Sequence, residues 1–132
     1  MAEVTFNREI GAAPEGITRF GQVRTSNGSN VTINNYRSFA GDGSFPLADV
    51  YEITYGTTGT ATVTLTAEAF AVRGVRVLKA DGTVAGEAVA PKITRRANSS
   101  FTYSVTNNDT ATVYVDRSDR SATEYRVTIT AA

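Results

Sequence analysis

Hydrophobic and polar residues alternate along most of this chain. Tyr51, Ile53 and Tyr55 fall on one side of an extended backbone, with Glu52 and Thr54 on the other, which is the period of two that a half-buried β-strand requires. The same rhythm sets Val63 and Leu65 together in Thr62-Val63-Thr64-Leu65-Thr66. It returns in Phe101-Thr102-Tyr103-Ser104-Val105 and in Tyr125-Arg126-Val127-Thr128-Ile129-Thr130, where β-branched and aromatic residues suit a pleated surface. Val75-Arg76-Val77-Leu78-Lys79 reaches Val84 through Ala80-Asp81-Gly82-Thr83, and this predicts a hairpin because Asp-Gly accepts the positive φ of tight turns. A second hairpin is predicted across Asn107-Asn108-Asp109, joining Phe101–Val105 to Ala111-Thr112-Val113-Tyr114-Val115.

The first 48 residues are less regular. Short strands are expected at Val4 to Phe6, Ile17 to Val23 and Val31 to Ile33, separated by glycine- and asparagine-containing stretches. The strongest loop signal, Gly41-Asp42-Gly43-Ser44-Phe45-Pro46, divides an irregular N-terminal extension (1–48), packing on the core or on a neighbour, from a sandwich core (49–132) within one domain. No stretch repeats apolar residues at i, i+3, i+4 and i+7 over three turns, so helix content should be very low. Seven to ten short strands with frequent turns predict an all-β protein, an antiparallel β-sandwich of jelly-roll-like form. A closed β-barrel is the second architecture, because it uses the same alternation.

Composition narrows the chemistry. The 132 residues fit a single domain and contain no His, Cys or Trp. The commonest general base, the thiolate nucleophile, the usual zinc ligands and any disulfide framework are thereby removed together. Thirteen basic residues balance thirteen acidic ones, so no overall field steers the chain toward nucleic acid or an anionic membrane, and weak self-repulsion favours association. No run approaches the ~20 apolar residues that span a bilayer. The start, Met1 to Glu9, carries acids and no apolar core, so either the chain acts without export or a leader was removed earlier.

A serine or threonine nucleophile would have only Lys79, Lys92 or the terminal amine as base, and none sits in a motif. Carboxylate pairs drawn from Asp42, Asp49, Glu52, Glu68 and Glu87 have no informative spacing. A calcium site at Asp109, Asp116 and Asp119 is opposed by the interleaved Arg117 and Arg120. No catalytic residue, metal ligand or cofactor is therefore assigned. Arginine suits contact surfaces through bidentate and stacking interactions, and Arg95, Arg96, Arg117 and Arg120 are candidate partner contacts, with ion pairs to nearby acids as the plainer alternative. Phe6, Ile10, Ile17, Phe20, Phe39 and Phe45 scatter apolar anchors through the N-terminal third. Such an arm could add a strand to a neighbour's exposed edge, or cover one end of its own sandwich.

From Gly41 onward the features resemble the bacterial pre-peptidase C-terminal domain. They run from Ala48-Asp49-Val50-Tyr51-Glu52-Ile53 through Gly59-Thr60-Ala61-Thr62-Val63-Thr64-Leu65 and Val75 to Thr83. They end with Ser100-Phe101-Thr102-Tyr103-Ser104-Val105 and Glu124-Tyr125-Arg126-Val127-Thr128-Ile129. The resemblance implies a jelly-roll-like sandwich without catalytic residues, serving as an appended binding or secretion-associated module. The Thr-, Ala-, Gly- and Val-rich, cysteine-free composition is also similar to phage capsid decoration (cement) and fibre proteins. Two expectations follow. The first is a non-enzymatic virion assembly protein that binds protein subunits as a homo-oligomer, through surface area and valence. The second is an extracellular accessory module that holds carbohydrate or protein on the loops at one end of the sandwich.

Overall fold

In the computed structural model the alternating segments become two facing antiparallel sheets. The structure describes residues 2–8, 17–20, 23–41, 43, 45–68, 72–89, 96–118 and 125–132. The first sheet contains β1 (Ala2–Arg8), β2 (Thr18–Phe20), β3 (Val23–Ser26), β6 (Gly59–Glu68), β9 (Arg96–Val105) and β11 (Tyr125–Ala131), in the order β2-β3-β1-β11-β6-β9. The second contains β4 (Val31–Arg37), β5 (Asp49–Tyr55), β7 (Val72–Lys79), β8 (Val84–Val89) and β10 (Thr110–Arg117), in the order β4-β5-β10-β7-β8. The protein is an antiparallel β-sandwich. It is not a closed barrel, since β2 and β9 end one sheet and β4 and β8 end the other. No helix occurs among the described residues.

Alternation decides which face is which. Phe6 lies opposite Val127, Val4 opposite Ile129, and Ile129 opposite Val63, and all of these are buried. Within the second sheet, Val113 lies opposite Tyr51 and Ala111 opposite Ile53, and the inner faces of both sheets form one core. Each fully buried Val, Ile or Phe contributes roughly 1.5–3 kcal/mol relative to exposure. The outer face of the first sheet is a hydroxyl surface, with Thr5, Thr128, Thr64 and Ser100 in one row across four strands.

Two sequence expectations are corrected. The single strand expected at Ile17 to Val23 is two, β2 and β3, paired antiparallel through Thr18↔Thr25 and Phe20↔Val23. The hairpin expected across Asn107-Asn108-Asp109 is a corner, because β9 pairs with β6 in one sheet while β10 lies between β5 and β7 in the other. The Asn108 amide donates to the Tyr55 carbonyl (2.7 Å) and the Tyr55 amide donates to the Asp109 carbonyl (2.8 Å). These bonds tie the turn to the opposite sheet. Asn108, at φ 73°, supplies the left-handed residue the corner needs. The hairpin at Ala80–Thr83 forms as expected, with Gly82 at φ 87°.

β1, β3 and β4, all within residues 1–48, are strands of the two sheets. β1 lies between β3 and β11 and delivers Val4 and Phe6 to the shared core.

Candidate functional site

The two ends of the sandwich differ in chemistry. At one end β5, β7 and β9 finish and β10 begins, so the β9–β10 corner and the β7–β8 hairpin stand side by side. A cleft of about 350 Å³ opens between them, with Tyr55, Tyr103, Lys79, Asp81, Asp109 and Thr110 in its walls. Tyr55 and Tyr103 alternate into the space between the sheets, from β5 and β9. Their rings meet edge to face with centroids 6.1 Å apart, and their hydroxyls are hydrogen-bonded. Tyr55 is buried and Tyr103 half-buried, so Tyr103 presents the open aromatic surface. Burial pushes the Tyr103 hydroxyl up to about 12, with Asp109 adding to the effect, and drives the Tyr55 hydroxyl further upward.

The carboxylates at the rim are held by their own turns. Asp109 Oδ2 accepts from the Thr106 amide at 2.8 Å, and the Asp109 amide donates to the Thr106 carbonyl. Asp81 Oδ1 accepts from both the amide and the hydroxyl of Thr83, at 2.9 and 2.6 Å, and these bonds hold its carboxyl below the usual aspartate value. Lys79 is exposed on the last residue of β7, and its carbonyl accepts from the Gly82 amide. The cleft thus combines one aromatic surface, two fixed carboxylates, an ammonium and threonine hydroxyls. Such groups orient a polar, hydroxyl-bearing ligand, and the volume lies at the lower end of the ~300–1,000 Å³ usual for small-molecule sites.

At the opposite end the polar groups are engaged with one another. The Tyr125 hydroxyl donates to Asp49 Oδ2 at 2.8 Å, so the hydrogen in the Tyr51–Tyr125 pair comes from Tyr51. Ser38 Oγ and the Phe39 amide both donate to Asp49 Oδ1 at 3.3 Å. Arg117 Nη1 lies 3.9 Å from Asp49 Oδ2, with both side chains fully buried. The Arg117 guanidinium sits 4.5 Å from the centre of the Phe39 ring, with that of Arg8 at 5.8 Å. Burial raises the Tyr51 and Tyr125 hydroxyls well above the ordinary tyrosine value. This network closes one end of the core and holds Phe39 at φ 50°, a strained conformation for a non-glycine residue.

Among the described residues, the contact residues expected from sequence are dispersed by the fold. Phe6 is fully buried and stacked on Tyr51, with centroids 4.2 Å apart; Tyr51 in turn meets Tyr36, and Tyr36 meets Phe20. Phe6 and Phe20 therefore end one internal aromatic stack. Phe39 and Arg117 belong to the Asp49 network, and Arg117 is only 1% exposed. Phe45 lies under Arg76, 4.3 Å from its ring centre, and Arg76 also binds Glu87. Phe45 helps to line a smaller outer pocket of about 240 Å³ with Arg73 and Asp116, where burial raises the Asp116 carboxyl. Ile17 is half-buried. Arg96 opens β9 opposite Glu68. Ile10, Arg95 and Arg120 lie outside the described residues, as does Asp119 of the calcium alternative.

The cleft is not legible in the sequence. Tyr103 alternates like a core residue and Lys79 precedes a turn like any solvated lysine, so only the corner brings them together.

Neither a protein-family model nor a curated protein matches the chain. Among solved structures, the chain is similar to the C-terminal CBM6 of LamC, a marine laminarinase from Zobellia galactanivorans. The match has 14% identity and a TM-score of 0.47, covering 97% of this chain and 98% of that one. It is also similar to CBM35 from Cellvibrio japonicus Abf62, with 18% identity and a TM-score of 0.45, covering 98% and 97%. A third likeness is to the Podospora anserina GH26-CBM35 β-(1,4)-mannanase, with 14% identity and a TM-score of 0.48. Here 99% of this chain is covered but only 28% of that one. The fold itself is defined by the strand order and registers of the two sheets.

Proposed function

We propose that this protein is a non-catalytic carbohydrate-binding module whose ligand sits in the cleft at the β9–β10 corner. The observation that carries the reading is the half-open Tyr103 ring, flanked by the turn-fixed carboxylates of Asp81 and Asp109 and by Lys79. A sugar ring offers an apolar C–H face to an aromatic side chain and hydroxyls to carboxylates and an ammonium, so both halves of the cleft have a use. The structures with which the chain shares its sandwich are carbohydrate-binding modules by name, which agrees with this reading without deciding it. Capsid decoration through the N-terminal anchors is the weaker reading, because Phe6, Phe20, Phe39 and Phe45 each already pack on partners within the chain. As an accessory module the protein would act outside the cell, holding polysaccharide near other machinery.

Calorimetric titration with a panel of neutral oligosaccharides tests the proposal. At least one should bind with a Kd on the order of 0.1–1 mM, about 4–5.5 kcal/mol. Tyr103→Ala should weaken binding tenfold or more, while Arg76→Ala, on a separate pocket, should leave it unchanged. Absence of binding across the panel at millimolar ligand would refute the reading.

A further inference from the structure

The four sheet edges are not equally protected. Edge strands expose unpaired amides and carbonyls, and proteins blunt them with shortness, charge, proline or bulges. β2 is three residues long. β4 breaks register between Ile33 and Asn35 and carries Arg37. β8 is six residues long, pairs with β7 through an irregularity at Val77/Leu78 and carries Glu87. β9 has none of these protections over most of its length. It runs ten residues, Arg96–Val105, pairs with β6 in unbroken register along all ten, and among the described residues has no strand on its other side. From Ser99 to Val105 it reads Ser-Ser-Phe-Thr-Tyr-Ser-Val, without a charge or a proline.

The flank beside this edge is also apolar. Phe101 and Tyr103 of β9 are only half-buried, and their rings are stacked with centroids 6.3 Å apart. A side chain at Gly86 of β8 would run into the Phe101 ring, so the two edge strands approach closely there. Two residues before Gly86, Val84 is 52% exposed.

We infer that the free edge of β9 is an interface for a second copy of this chain, joining two six-stranded sheets through antiparallel β9–β9 pairing. A second copy fits because the edge is its own complement. A two-fold axis normal to the sheet runs the partner's β9 antiparallel and sets Ser100, Thr102 and Ser104 opposite residues of the same row. The two half-open Phe101 rings then fall on the shared inner side. A formal net charge of zero leaves little overall repulsion between copies. The dimer would carry two corner clefts on one rigid sheet. The pairing depends only on the edge, so it stands or falls separately from the carbohydrate reading.

Sedimentation velocity on the full chain from ~5 to 200 μM tests the inference. Wild type should shift from monomer to dimer across this range. The double variant Ser100→Lys/Thr102→Lys, at two exposed positions, should stay monomeric with an unchanged circular dichroism spectrum, because like charges would face each other across the pair. Ser100→Glu/Thr102→Glu should behave likewise, and an equimolar mixture of the two variants should recover the dimer. Monomeric wild type at 200 μM, or a Lys variant that dimerises as well as wild type, would overturn the inference. A mixture that fails to associate would also count against it.

Discussion

Asp49 shows how much one buried carboxylate can organise. It accepts hydrogen bonds from Tyr125, Ser38 and the Phe39 amide and lies beside the buried Arg117. Tyr125→Phe would remove one donor from Asp49 and the acceptor used by Tyr51, leaving buried polar atoms unmatched. That should lower unfolding free energy by about 1–3 kcal/mol in urea titration. Tyr51→Phe removes only the donor at the end of the chain and should cost less. Tyrosine also sets the alkaline limit. Tyr103 is pushed up to about 12 in the folded protein, against about 10 in an unfolded chain, and Tyr55 moves in the same direction. The native state therefore holds these protons more tightly. Their stabilising contribution is fully present below pH 10 and is lost as pH rises toward 12. Urea midpoints should be level in this respect from pH 8 to 10 and fall above it; a midpoint that rises above pH 10 would contradict the assignment.

Among the elements, the two turns beside the cleft show what sequence could and could not disclose. The Ala80–Thr83 hairpin was legible because Asp-Gly dictates local backbone geometry, and Gly82 takes φ 87° with open space around its Cα. Gly82→Ala should therefore cost about 1 kcal/mol through conformation alone, and Gly82→Asn less, since asparagine tolerates the left-handed region. Equal losses from both variants, measured by thermal melting, would argue for a contact instead. The Asn107–Asp109 turn was misread because Asn and Asp serve a hairpin and an inter-sheet corner equally well. What selects the corner is its bonding to Tyr55, about fifty residues earlier, and no local pattern carries that information. Strand identity was read from alternation at β5, β6, β10 and β11, where one face is buried and the other wet. β2 and β3 were harder, because three- and four-residue strands offer too few alternations to place a break.

Across the whole molecule, the sheets and the proposed cleft depend on contacts distant in sequence. β1 pairs with β11, so residues near both termini share the middle of one sheet, and the cleft joins two turns and the end of β5 from three parts of the chain. The absence of imidazole and thiol pointed to binding rather than catalysis, but the residues of the proposed cleft come together only in three dimensions. Deleting residues 125–132 would take the strand between β1 and β6 out of the sheet, and the truncated chain should show no cooperative melting transition. For the wild-type protein, the most direct test of the central claim is an amide chemical-shift titration with a bound oligosaccharide from the panel. The account predicts that shifts concentrate at Tyr103–Thr106, Lys79–Asp81 and Asp109–Ala111. Shifts confined instead to the Asp49 end, around Ser38, Phe39 and Arg117, would contradict it.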